Sequence, residues 1–228
     1  ALFGAIRGGH EHLAAELLQL GESPNDLNPR TGYRPLQVAA YHGGEQTIRA
    51  LFEHGADKSV LDTEGRSTLH IAAMRGNAPA CRALLAAGTP LNTRYGEGEW
   101  SALDLAARHG QVDVLRVLLE NDDLDINASN SAGKTALHKA PYGGCADAID
   151  ILVEAGAVVD ACACDRRTPL HVACERDDSG DVAEALIRHG ADKDKLLSNR
   201  RSPLHLAARH GRFHVVKVLL AAGADVTL

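Results

Sequence analysis

The sequence predicts an all-α solenoid in which helix-turn-helix units stack side by side, and three observations carry that expectation. A leucine inside a recurring T-P-L-H-like frame falls at Leu2, Leu36, Leu69, Leu103, Leu137, Leu170 and Leu204, always 33 or 34 residues from the next. Behind it come small and apolar residues, a glycine, and a second apolar stretch that ends at another glycine. Such a helix pair cannot bury its faces alone, so a core forms only when neighbours stack.

The last unit, "RSPLHLAARHGRFHVVKVLLAAGADV", displays the elements in order. Leu204, Leu206, Ala207 and Ala208 form a short first helix whose small side permits close helix approach, and Gly211 breaks it. Val215, Val216, Val218, Leu219 and Leu220 supply the apolar side of a second helix, which Gly223 caps. Period and frame together resemble the ankyrin-repeat family over essentially the whole chain. A partial first unit precedes six fuller ones, over residues 1–28, 29–61, 62–95, 96–129, 130–162, 163–196 and 197–228 of a single 1–228 domain. The resemblance implies β-hairpin-like tips between units, first helices lining a concave side, and second helices forming the convex back.

One copy of the frame, "GKTALH" from Gly133 to His138, imitates half of a phosphate-binding loop. The other half is missing: Ala128 stands where the first glycine belongs, and no strand-like run leads in. The same frame returns without lysine as "GRSTLH", "RRTPLH" and "RRSPLH". Gly133 is therefore expected to permit a tight turn, with Thr135 and His138 closing it by hydrogen bonds and Leu137 entering the core.

Composition narrows the function. With 24 Lys+Arg against 30 Asp+Glu, the net charge of -6 argues against a general nucleic-acid binder. Five cysteines, an odd and irregularly spaced set, favour a reducing cytoplasm or nucleus over a disulfide framework. No apolar run suits a membrane span, and "ALFGAIRGGHEH" lacks the parts of a signal peptide.

The chemical motifs do not assemble. His70, His138, His171 and His205 each follow the anchor leucine, where the family ties one loop to another. Whole repeats separate them, on the order of 10 Å, too far to share one zinc. His54 and His189 precede glycines at second-helix ends, where positive charge suits the dipole. Cys162 and Cys164 lie on a hairpin arm, and Cys174 replaces a core alanine as a small buried hydrophobe. Asp104 stands where the family has histidine, and His109 follows it, but no nucleophile elbow accompanies them. No enzyme, metal or cofactor is expected.

Individuality lies in the departures. The tips "NDLNPRTGYRPL" and "NTRYGEGEWSAL" are each a residue longer, and the second carries Tyr95 and Trp100. "ERDDSGD" lengthens the turn between the sixth unit's helices. Lys139 and Pro141 replace Leu206 and Ala208 in the fifth unit, so its first helix should be short or distorted. In the last unit Val215, Val216 and Val218 lack a polar outer cap, which predicts self-association through an uncapped end and a chain excised from a longer protein. Asn127 in "LENDDLDIN" resembles asparagines that ankyrin-directed hydroxylases modify, Asn92 less closely; oxygen addition in peptide mass spectrometry would register it.

By family analogy, three positions per unit face a partner: three before the anchor leucine, and five and six after it. They hold Tyr33, Arg66, Trp100, Lys134, Arg167 and Arg201; then Tyr41, Met74, Arg108, Tyr142, Glu175 and Arg209; then His42, Arg75, His109, Gly143, Arg176 and His210. Eight Lys/Arg against one acid give these 18 positions +7, so a chain of net -6 carries −13 elsewhere. Arginine and aromatic enrichment is what an interaction surface shows. The expectation is an intracellular protein-binding scaffold, with an acidic segment as the partner. The alternative is the substrate-recruiting or regulatory arm of a larger enzyme, ubiquitin ligase or channel.

Overall fold

Four of the first helices start where a hydroxyl and an imidazole exchange hydrogen bonds. In the computed structural model, which describes residues 1–228, the Ser67, Thr168 and Ser202 hydroxyls accept from the backbone N–H three residues on. The Nδ1 of His70, His138 and His171 accepts the N–H of Ser67, Thr135 and Thr168 at 3.2 Å each. Two helix-start donors find partners this way, and Pro169 and Pro203 open their helices where no N–H is needed.

The chain is all-α, as expected, and forms two compact units, Ala1–Ala102 and Leu103–Leu228. In the first, α1 (Leu2–Arg7), α3 (Pro35–His42) and α5 (Thr68–Arg75) pack in sequence as the inner layer. Their partners α2 (Glu11–Gln19), α4 (Glu45–Glu53) and α6 (Ala78–Ala86) form the outer layer. The second unit holds α7 (Ala102–Arg108, whose first residue falls before the division), α8 (Val112–Leu119), α9 (Ala136–Lys139), α10 (Ala146–Glu154), α11 (Pro169–Arg176), α12 (Asp181–Arg188), α13 (Pro203–Arg209) and α14 (Phe213–Ala221). There, α9, α11 and α13 run along one layer, and α8, α10, α12 and α14 along the other.

The core follows the period. Anchors Leu36, Leu69, Leu137 and Leu170 are buried, and so is the second-helix ladder Leu51, Leu84, Leu118, Leu152, Leu186 and Leu219. Between them the pairs Ala39–Ala40, Ala72–Ala73, Ala106–Ala107 and Ala173–Cys174 are fully buried, and the missing bulk lets the layers close. Burial raises the Cys174 thiol, so the residue packs as a hydrophobe. Pro141 acts as expected: α9 stops after four residues and continues as a 3-10 turn over Ala140–Tyr142.

The tips close by turns, and strands do not form. Only two isolated antiparallel bridges occur, Leu61 with Ser67 and Tyr95 with Trp100. The residue four before the anchor always has a left-handed backbone: Gly32, Gly65 and Gly133, but also Glu99, Arg166 and Arg200. At Gly133 (φ 72°) an added Cβ would meet the Cys164 nitrogen at 3.0 Å. The glycine that imitates a phosphate loop thus sits where one tip crosses the next, and the Cys164 N–H donates to the Ala132 carbonyl there at 2.9 Å.

One expectation is corrected. Val215 is fully buried and belongs to the core of its unit. The apolar exposure in this region comes from Phe213, Leu220, Val226 and Leu228, with Val216 and Val218 half-buried. Val215 turns inward because it occupies the same helical face as Leu219, four residues on.

Candidate functional site

The inner helix face is held in place by the buried histidines. The Nε2 of His138 bonds the Arg167 carbonyl of the next tip at 3.0 Å, and His171 bonds the Lys195 carbonyl at 3.0 Å. His70 reaches two carbonyls, Thr93 at 3.1 Å and Trp100 at 3.0 Å. Since Nδ1 already accepts a backbone N–H, Nε2 carries the proton and donates. Burial pulls all three imidazoles below their usual range, His171 to about 4. These residues therefore fix the backbone carrying Trp100 and Arg167 as neutral ties.

On the first unit, Tyr33 and Tyr41 are half-buried and His42 and Arg75 exposed, with the Arg75 guanidinium 3.7 Å from the Tyr41 ring centre. Met74 is half-buried beside Arg75 in α5. Arg66 is already occupied: its Nε donates to the buried Asp62 carboxylate at 2.7 Å, and Glu64 lies 3.1 Å away. Trp100 has work within its own tip. Its backbone pairs with Tyr95 in both directions, and its indole packs so closely on Gly98 that a Cβ there would lie 2.2 Å from Nε1. Tyr95 in turn meets the His70 ring edge-on at 4.9 Å.

On the second unit, Tyr142 is the exposed centre, with Arg108 4.7 Å and Arg176 5.1 Å from its ring. An arginine over a tyrosine face contributes about 0.5–1 kcal/mol at an exposed site and holds both planar groups ready for contact. Arg167 is engaged by Glu175 at 2.6 Å and Asp165 at 3.3 Å. His109, Arg209 and His210 are exposed, and Lys134 and Arg201 half-buried. The +7 read from the sequence is thus partly cancelled by acids at positions outside the 18: Asp62, Glu64 and Asp165.

Two residues of this surface escape the six-unit reading. Arg7 lies five residues after Leu2, the register of Tyr41, and is exposed at the end of α1. Arg212 reaches from the last unit to the Glu175 carbonyl at 2.9 Å and to the Asp178 carboxylate. Asn127 is exposed, with its amide spanning to the next unit: Nδ2 donates to Gly156 O at 3.1 Å, and Oδ1 accepts from the Val158 N–H at 2.8 Å. Cys162 and Cys164 are exposed and turn to different carbonyls, of Asp160 and Ser131. No helix is long and apolar enough to cross a membrane.

A family profile described as "Ankyrin repeats (3 copies)" matches residues 58–130, 124–196 and 158–228. The chain is 32% identical over 182 residues to the nuclear factor NF-kappa-B p105 subunit of Gallus gallus, covering 73% of this chain and 18% of that protein. It is 32% identical over 161 residues to neurogenic locus notch homolog protein 1 of Homo sapiens, 70% of this chain and 6% of that one. A transient receptor potential cation channel subfamily A member 1 homolog of Caenorhabditis elegans is 34% identical over 139 residues, 61% of this chain and 11% of the channel. The chain therefore spans less than a fifth of each of these relatives.

Proposed function

Because the chain belongs to the ankyrin-repeat family, whose repeats are protein–protein interaction modules, we propose that it binds a partner protein through the inner helix face and tips and performs no chemistry itself. The observation that carries this reading is the exposed stacking of arginine on tyrosine, Arg75 on Tyr41 and Arg108 and Arg176 around Tyr142. Aromatic rings and guanidinium groups, pre-oriented and partly open to water, are the residue types that anchor interfaces. The partner segment is acidic, since Arg7, Arg75, Arg176 and Arg209 have no carboxylate partner within the chain. Five free cysteines suit an intracellular placement, cytoplasmic or nuclear.

Peptides selected from a random display library against the folded chain test this. They are expected to be rich in Asp and Glu, and Tyr142→Ala or Trp100→Ala to weaken them about tenfold or more. Arg176→Glu combined with Arg209→Glu should slow association and flatten its salt dependence, because exposed charges act on the encounter more than on the complex. Selected peptides that are neutral, or that map to the outer helices, overturn the reading. Sedimentation of the free chain in the same series reads self-association through exposed Phe213 and Leu220; a strict monomer at all concentrations excludes it.

A second reading, the regulatory or recruiting arm of a larger enzyme, ubiquitin ligase or channel, draws on the small share that such a stretch makes up of its longer relatives, one of them a cation channel homologue.

A further inference from the structure

The inner face of the first unit contains a cleft of about 390 Å³, and its lining is unlike the rest of that face. Arg7, Arg75 and His42 line it together with Tyr33, Tyr41 and Asn28, and no acidic side chain does. Two other arginines on this surface are answered internally, Arg66 by Asp62 and Arg167 by Glu175. Arg7 and Arg75 have no such answer.

Asn28 adds an independent sign. It is only 8% exposed, and its Oδ1 accepts the N–H groups of Arg30 at 2.9 Å and Thr31 at 3.3 Å. That fixes which end of the amide is oxygen, and no group of the protein accepts from its Nδ2 donors. Solvent reaches these donors, so they are open to a ligand without being strained in its absence. Neither tyrosine hydroxyl is hydrogen-bonded either, so the cleft offers donors from several directions around two positive charges, one of them, Arg75, held over the Tyr41 ring.

We propose that this cleft is a receptor for a phosphorylated side chain on the partner segment. The inference rests on the inner face being the partner surface and names the group that enters it. The charge balance selects phosphate over carboxylate. Two guanidinium groups match a monoester of charge about −1.5 to −2, and three terminal oxygens can answer arginine and amide donors together. A single carboxylate leaves one guanidinium unmatched and carries too few oxygens for the donors. The volume admits a side chain with its phosphate, and the Tyr41 ring beneath Arg75 holds that guanidinium in position.

The test is a titration of the full chain, followed by amide and side-chain NMR, with N-acetyl-phosphoserine amide and, separately, N-acetyl-glutamate amide. The phosphoserine probe should bind saturably, shift the Asn28 side-chain amide, and bind at least tenfold tighter than the glutamate probe. Arg75→Gln and Arg7→Gln should each weaken it about fivefold or more, while Arg116→Gln, an exposed arginine on the outer helix α8, should leave it unchanged. Equal binding of the two probes would overturn the phosphate assignment and leave the acidic-partner reading standing. Absence of binding, or shifts spread over all exposed arginines, would overturn the cleft altogether, and the peptide selection above would judge the broader reading on its own.

Discussion

Moving the protein from pH 7 to pH 5 is expected to cost about 2 kcal/mol through His171 alone, with His70 and His138 adding in the same direction. Burial holds His171 neutral in the folded chain, with its pKa down at about 4 against 6.5 for the free side chain. Between those values the unfolded chain binds a proton that the folded chain refuses, so stability rises with pH across the window. The contribution is fully present above about 6.5, falls as the pH drops, and is gone below about 4. Protonation would also place a donor at Nδ1, opposite the Thr168 N–H that it now accepts from. Carboxylates lowered by their own partners, such as Asp150, lose their contribution at more acidic pH, so the first part of the acid loss belongs to histidine. Urea unfolding followed by circular dichroism at pH 7, 6 and 5 measures it. A His171→Gln variant supplies the control, because Gln37 fills this position naturally: its Oε1 accepts the Arg34 N–H at 2.8 Å, but its buried Nε2 finds no partner. The variant should be about 1 kcal/mol or more weaker at pH 7 and less sensitive to acid. An equal pH slope in both proteins would show that the tie does not titrate as argued.

What the sequence made readable and what it hid divide along one line. Stacking forces a period, so the anchor leucines, the small residues behind them and the Pro141 break were all legible. The histidine ties followed from the resemblance, and the structure supplies their carbonyl partners. The electrostatics of the binding face were less accessible. Asp62 folds back under Arg66 and Asp165 beside Arg167 only because the tip turns there, and a count by position treats those acids as remote. Half of the left-handed tip positions carry glycine and half do not, so Glu99, Arg166 and Arg200 gave no compositional sign of their backbone. Arg7 was hidden for a simpler reason: the counted frame began at the second unit, although the register of the first already placed it. Trp100 stood out as an interface anchor from its type and its tip position, and the structure adds a local task, packing on Gly98.

Asp177 marks the limit of such reading, and its removal is expected to cost about 3 kcal/mol or more. The sequence identifies only an extra residue in "ERDDSGD". In the structure that residue is 2% exposed, and its carboxylate organises the whole turn. Oδ1 accepts from the Ser179 N–H, the Ser179 hydroxyl and the Gly180 N–H, each at 3.1 Å, and Oδ2 accepts from the Ala183 N–H at 3.1 Å. Two of those donors belong to buried residues at the start of α12, where helix N–H groups have no intrahelical partner. Asp177→Ala would leave them unanswered, at about 1–3 kcal/mol for each buried donor. The loss would spread, because Gly180, held at φ 91°, comes within 3.2 Å (measured from an added Cβ) of Val218 on α14. Loosening the turn therefore loosens the contact between the last two outer helices. Asp177→Asn keeps the Oδ1 bonds but sets an amide donor against the Ala183 N–H, and should fall between alanine and the native residue. Urea unfolding of the three proteins orders them. An alanine variant within about 1 kcal/mol of the native chain would mean that water replaces the carboxylate and the turn does not depend on it; an asparagine variant as weak as alanine would mean that the Oδ1 bonds contribute nothing by themselves.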